Sequence, residues 1–330
     1  MLDTVTLKYH DAPTPIQLEE WCETTQRYPT GSCRKKYSKR INIENDVSVL
    51  FTHYPQNPGF SHPISLIEFS VPKVLFGNNS YLIRGVDEIY EAASRVNGFI
   101  SGLSWMCPIN VLDGILSRID LTYDHHIGNT VEAYIHVLMK SHYPRRKTII
   151  YPNEGVLFKS RTASTKFYDK HKEQGFLSAG NLLRQETTFR RTYTISRRMG
   201  IDNPTLMDIT PEWVIQVLHQ DLERLTLNNR MICTSELALE MLMNKYSPNT
   251  ALKLLGYLLT RQSNIHEQMI ANGTSKSTIW RWNIQLKEVG ICLALTDAKY
   301  ALPPLTIDKE YFRNETLVVS DTRTQGTTRP

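Results

Sequence analysis

A change of hydrophobic period near residue 205 constrains this 330-residue chain more than any other feature. Before it, short runs alternate polar and apolar residues with period two, as half-buried strands do. After it, apolar residues recur at helical spacing to about Leu293. The first part predicts strands at 4–9, 46–54, 64–70, 116–124, 148–151, 155–159, 165–170 and 183–190, with amphipathic helices at 84–103 and 130–140. Residues 11–45 are harder to read. They hold a short helical pattern at 17–24 and a basic run, Arg34-Lys35-Lys36 with Lys39-Arg40. Strand, helix, strand, helix and then a series of strands predicts an α+β fold, an antiparallel sheet with helices on one face.

The second part opens on Thr210-Pro211-Glu212, an N-cap followed by proline at the first helical position. That helix should reach about Leu225, and others are expected at 235–245, 250–270 and 275–289, the last closed by Gly290. Three units are therefore expected: 1–204, a mostly helical unit at 205–300 for which a winged helix is one reading, and a partly disordered tail at 301–330, polar from about Val318.

Composition narrows the class. Apolar residues are 41% and charged residues 22%, which excludes wholesale disorder. Net charge +5 permits an anionic partner without demanding one. No apolar run approaches the ~20 residues that cross a bilayer, and the first residues lack a secretory pattern. Five cysteines, an odd number with no C-x-x-C pair, read as free thiols in a reducing cytoplasm, with no zinc site.

Three strands carry unusual polar faces. Side chains alternate along a strand, so one face of 117–124 presents Arg118, Asp120, Thr122 and Asp124, and the other Ile119, Leu121 and Tyr123. In 165–170 one face holds Lys166, Tyr168 and Lys170; in 183–190 one holds Arg184, Glu186, Thr188 and Arg190. Any one of these reads as an ordinary solvated strand; three in one unit favour a site. Carboxylates such as Asp120 and Glu186 suit a hard divalent cation, Mg²⁺ or Mn²⁺, which polarises a phosphoryl oxygen. A tyrosine hydroxyl titrates near 10 and needs cationic help to attack near neutrality. Lys166 and Lys170, flanking Tyr168, are expected to supply it. Together these groups describe phosphodiester transesterification through a phosphotyrosine.

At this point the order of segments resembles a family. Leu116-Ser117-Arg118-Ile119-Asp120, Phe167-Tyr168-Asp169-Lys170-His171-Lys172-Glu173 and Leu183-Arg184-Gln185-Glu186 are similar to motifs of the filamentous-phage replication initiators, the gene II/X family of phage and plasmid replication proteins. Ile67-Glu68-Phe69-Ser70-Val71-Pro72-Lys73, upstream, adds to the likeness, which covers roughly 45–200 and runs more loosely to about 293. The resemblance implies a site-specific DNA nicking and joining enzyme that starts rolling-circle replication in the host bacterial cytoplasm, with origin DNA, a host helicase and a host polymerase as partners. It places the nucleophile on Tyr168 and metal-binding acids on Asp120, Glu186 and Glu68. Many rolling-circle initiators use a His-apolar-His strand; here His125 and His126 are adjacent, would point to opposite faces, and are expected in a loop or at the surface. Tyr123 is expected in the core, and Tyr151 is the rival nucleophile.

The 275–291 segment reads as the second helix of a helix-turn-helix, or equally as one member of a bundle. Ile279, Trp282, Leu286 and Val289 would face inward; Arg281 and Gln285 would face DNA, with Arg184 and Arg190 as further DNA contacts. Two other readings stand beside the nicking enzyme: a non-catalytic DNA-binding replication or regulatory protein, and a mobilisation relaxase.

Overall fold

A computed structural model describes residues 1–10, 18–27, 33–44, 47–55, 62–103, 109–152, 154–173, 182–263 and 265–312. Ten strands form one antiparallel sheet: β1 Leu2–His10, β2 Cys22–Arg27, β3 Cys33–Glu44, β4 Val47–Tyr54, β5 Ile64–Ser70, β6 Ile115–His126, β7 Lys147–Tyr151, β8 Gly155–Lys159, β9 Ala163–Asp169 and β10 Leu182–Phe189. Their order is β2-β3-β4-β5-β1-β6-β10-β9-β8-β7. The helices are α1 Val71–Phe76, α2 Val86–Ser101, α3 Val131–Met139, α4 Lys170–Glu173, α5 Thr192–Met199, α6 Pro211–Arg224, α7 Ser235–Met243, α8 Pro248–Gln262, α9 His266–Ala271 and α10 Lys276–Val289. The α+β reading holds.

The apolar positions of the alternating strands build the main core. Val5, Leu7, Ile67, Phe69, Ile119, Leu121, Phe167, Leu183 and Phe189 join Ile89, Ala93 and Val96 of α2, Val131 and Ile135 of α3, and Ile195 of α5 in one cluster. Helix α6 belongs to it too, through Val214, Leu218 and Leu222. A buried polar network fastens α6 to the sheet. Asp221 accepts hydrogen bonds from Tyr143 (2.5 Å), Thr165 (2.6 Å) and Thr187 (2.6 Å). The expected boundary at 204/205 thus falls ahead of a helix that completes the sheet's core. A second cluster, Ala238, Leu242, Ala251, Leu254, Leu258, Leu286, Ile291 and Leu295, comes from the later helices and the segment just after α10. The chain then returns to the sheet: Leu302, Leu305, Ile307 and Phe312 lie in the first cluster, and the Asp308 N–H donates to the Tyr123 hydroxyl at 3.0 Å. Residues 313–330, which the sequence reading placed in a tail, lie outside the described residues.

Several local expectations need correction. The helical pattern at 17–24 is a single 3-10 turn, Leu18–Glu20, followed by β2, which pairs with β3 from Cys22↔Ser38 to Arg27↔Cys33. Strand β3 escaped notice because Arg and Lys interrupt its alternation; its inward residues are Tyr37, Ile41 and Ile43. Non-local pairing with β4 outweighs the local pattern there. Helix 250–270 is two helices, α8 and α9, divided near Ser263. His125 is buried rather than at the surface: its Nε2 lies 3.1 Å from Gln185 Oε1, and burial lowers its pKa to about 4.

Candidate active site

Strand register assembles the polar face. Across β6, β10 and β9 it reads as three rows: Asp120–Thr188–Ser164, Thr122–Glu186–Lys166 and Asp124–Arg184–Tyr168. On the other flank of β6, Arg118 lies opposite Thr6 of β1, and Thr6 opposite Glu68 of β5. Five strands thus bring together Asp120, Glu186, Glu68, Lys166 and Tyr168, residues separated by up to 118 positions in the chain. The alternation of each strand dictates the face; the pairing dictates the neighbours.

The Tyr168 hydroxyl donates to Glu186 Oε2 at 3.4 Å, and Lys166 Nζ sits 4.0 Å from the centroid of the Tyr168 ring. A cavity of about 240 Å³, lined by Lys166, Tyr168, Lys172 and Glu173 among others, opens on this pair. Tyr168 as a whole is 4% exposed. Gly155 permits this packing. It faces Tyr168 across the β8–β9 pair, and a Cβ there would lie 2.2 Å from the Phe167 carbonyl oxygen and 2.8 Å from Tyr168 Cβ. Any larger residue would push Tyr168 out of place.

The electrostatics oppose ionisation of the phenol. Burial, then the Glu186 carboxylate, raises the Tyr168 pKa above its usual value. The two-lysine activation expected from sequence is therefore not realised in this arrangement. Lys166 contacts the ring, but β9 ends at Asp169, Lys170 begins α4, and its ammonium is paired with other groups. Its buried ammonium bonds Glu173 Oε2 at 2.6 Å and Asn79 Oδ1 at 3.3 Å. Glu186 is raised to about 7, first by burial and then by Asp120 and Asp3. Burial also raises Asp120, against the pull of Arg118.

Arg118 binds two of the acids. Its Nε and Nη2 reach the two carboxylate oxygens of Asp120 at 3.2 and 2.7 Å, and its Nη1 lies 3.6 Å from Glu68. Glu68 also accepts from Thr6 at 2.8 Å. Among the described residues no three His, Cys, Asp or Glu side chains converge as a metal cluster. The donor chemistry nonetheless fits a hard cation. Two carboxylates flank Thr122, whose buried hydroxyl has no hydrogen-bond partner among the described residues. Oxygen donors of this kind are what such a cation takes.

The proposed DNA contacts divide. Arg184 is fully buried, pairs with Asp124 through Nε (2.6 Å) and Nη2 (2.7 Å), and donates to the Asn79 carbonyl at 2.9 Å. It is a structural clamp, so its assignment to DNA is corrected. Arg190 is exposed at the end of β10. Arg281 is exposed and Gln285 half-buried on α10, which Ser275 caps (Thr278 N–H to Oγ, 3.1 Å) and Gly290 ends at φ 79°. Leu286 is buried in the second cluster, with Ile279, Trp282 and Val289 packed against it. Of the other tyrosines, Tyr123 is in the core, and Tyr151 is exposed at the end of edge strand β7, in register with Tyr168 through Gly155. Sequence reading missed Arg118 as the ion-pair partner of the acids and Asp3 as a further charge near them. Arg118 stood on the same alternating face as Asp120, and that spacing was the available signal.

No family model matches the chain. No curated protein matches it either. Among solved structures, the rolling-circle replication initiator protein from Geobacillus stearothermophilus is similar over 60% of this chain and 77% of its own, at 11% identity and a TM-score of 0.29. At that level the likeness assigns neither family nor activity. Among the described residues no helix is long and apolar enough to cross a membrane.

Proposed function

We propose that the protein is a DNA nicking and joining enzyme that initiates rolling-circle replication, akin to the gene II/X initiators. The observation that carries this reading is the Tyr168 hydroxyl donating to Glu186 on the sheet face that also carries Asp120. Tyr168 Oη attacks the scissile phosphorus, and the bond from phosphorus to the 3′ oxygen breaks. The phenol proton passes to Glu186, the carboxylate that the Tyr168 hydroxyl already reaches. The departing 3′ oxygen takes up a proton and becomes the hydroxyl that primes synthesis. The 5′ phosphate stays on Tyr168, and reversal reseals the strand without ATP. Lys166, beside the ring, stabilises charge on the phosphate. Asp120 and Glu186, with Thr122, would hold a Mg²⁺ or Mn²⁺ ion, and Glu68 lies at its edge. Such an ion supplies Lewis-acid polarisation of a phosphoryl oxygen. Arg190, Arg281 and Gln285 are the DNA contacts, with a host helicase and polymerase following.

The test is incubation with supercoiled origin plasmid and Mg²⁺, read on a denaturing gel for a protein–DNA adduct. Tyr168→Phe should lose nicking, adduct and rejoining together while keeping duplex affinity. Asp120→Ala should lose cleavage by more than a hundredfold. An adduct on a peptide containing Tyr151, or one formed by Tyr168→Phe, would overturn the assignment.

One observation favours a non-catalytic DNA-binding protein: Arg118 already neutralises Asp120 and Glu68. On that reading wild type binds origin DNA and never cleaves it at any Mg²⁺ or Mn²⁺ concentration.

A further inference from the structure

On the face of the sheet remote from Tyr168 lies a larger cleft, of about 600 Å³, between the main core and the second helical cluster. Its walls come from the ends of α3, α6 and α8, from β7, and from residues 293–294. Three cations line it: Lys140, Arg224 and Arg261. None of the described residues lining it is acidic. Each cation stands at a helix C-terminus, and a helix end offers about half a negative charge. Three cations therefore exceed what three helix ends neutralise.

The surroundings leave that excess in place. Arg224 donates to the Tyr143 hydroxyl at 3.3 Å and Arg261 to the Tyr257 hydroxyl at 3.2 Å, both neutral phenols. Behind Arg224 stand Arg146 and Arg198. Arg198 bonds the neutral Gln220 at 3.0 Å, and burial followed by Arg224 lowers its proton affinity. The nearby carboxylate, Asp221, is buried, already accepts three hydroxyl hydrogen bonds, and lies 3.8 Å from Arg146. Lys140 does pair with Asp297, but Asp297 is 71% exposed, and a pair so open to water is weak and displaceable. Beside the cations, Ile150, Ile270 and Leu293 provide an apolar wall. The volume is that of a small-molecule site.

We propose that this cleft binds a nucleoside phosphate, its phosphates between Arg224 and Arg261 and its base against the apolar wall. Guanidinium groups favour phosphate through paired N–H donors, and an apolar wall beside them suits a base. The sheet separates this site from Tyr168, so the inference does not depend on the nicking reading. The nucleotide is either free or one unit of a DNA strand.

The test is calorimetric titration of the full chain with ATP and with dTMP, repeated against inorganic phosphate and against a single-stranded oligonucleotide. Saturable binding that phosphate competes away is expected. Arg224→Ala with Arg261→Ala should weaken it at least tenfold, Lys140→Glu at least threefold, and the corresponding double lysine variant less than the double alanine one. Tyr168→Phe should bind as wild type does, which separates this site from the proposed nicking centre. Displacement by the oligonucleotide assigns the site to a strand, and lack of displacement to a free nucleotide; both support it. Absence of saturable binding by wild type would overturn the proposal. So would equal affinity in a Lys140→Glu protein that melts like wild type.

Discussion

Glu186 sits between two demands. Its neighbours in the rows are Thr122 and Lys166, yet Asp120 and Asp3 dominate its field after burial. A carboxyl raised from 4.5 to about 7 keeps a proton in the folded chain that the unfolded chain has already lost between those values. Stability must then fall as pH rises through that window and stay lower above it. Glu186→Gln removes the titration. Urea unfolding at pH 4 should find variant and wild type alike, and at pH 8 should find the variant more stable by up to ~3 kcal/mol. A variant less stable at pH 8 would mean the carboxylate is favourably paired. Arg184 presents the opposite case, a buried charge already neutralised by Asp124. Arg184→Ala strands that carboxylate and should cost ~3–5 kcal/mol in urea unfolding. Weakened DNA binding with unchanged stability would instead restore it as a DNA contact.

Helix α10 shows how far an element can be derived from its own residues. Ser275 caps it, the left-handed Gly290 ends it, and Leu286 buries it. Its other face leaves Arg281 exposed and Trp280 66% exposed, after a turn at Gly273 with φ 96°. Arg281→Ala should leave the melting temperature unchanged, because the side chain is outside the second cluster. If α10 reads bases, the variant should lose origin discrimination worth ~1–3 kcal/mol at matched salt, while nicking of a pre-melted oligonucleotide persists. Equal origin affinity in both proteins would leave α10 as a bundle helix. Around it, strand-like pairing among the described residues consists of two isolated bridges, Met231↔Ile291 and Ile232↔Leu302.

Two hydrophobic clusters share one chain, and adjacent residues divide between them: Ile232 and Cys292 belong to the first, Cys233 and Ile291 to the second. From Leu302 onward, Leu305 and Phe312 lie in the first core. Phe312 packs 5.7 Å from Tyr123, centroid to centroid, and the Tyr134 hydroxyl donates to the Pro303 carbonyl at 2.5 Å. The returning segment therefore holds the helical cluster to the sheet. Phe312→Ala should destabilise the main transition by ~3–5 kcal/mol. Calorimetry should show the sheet's transition moving down, with the helical cluster's own transition moving less. Loss of stability only in the helical cluster would place the strap elsewhere.

Period-two alternation on 116–124, 165–170 and 183–190 was enough to sort Asp120, Glu186, Lys166 and Tyr168 onto polar faces, because a strand's side chains have no third direction to take. Capping chemistry likewise marked α6 and α10 at their first residues, since backbone groups at a helix end need a local partner. Register is different. Which residue stands beside Tyr168 depends on how strands far apart in sequence pair, and no local signal encodes that. So Glu186 as the hydroxyl's partner, Arg118 as the acids' counterion, and the burial of Arg184 against Asp124 emerged only from the folded sheet. The same holds for Lys170, whose strand ended one residue early, and for β3, whose charges hid its alternation until β4 paired with it. Burial reversed the chemistry expected of Tyr168, because desolvation is a property of the surroundings and not of the residue.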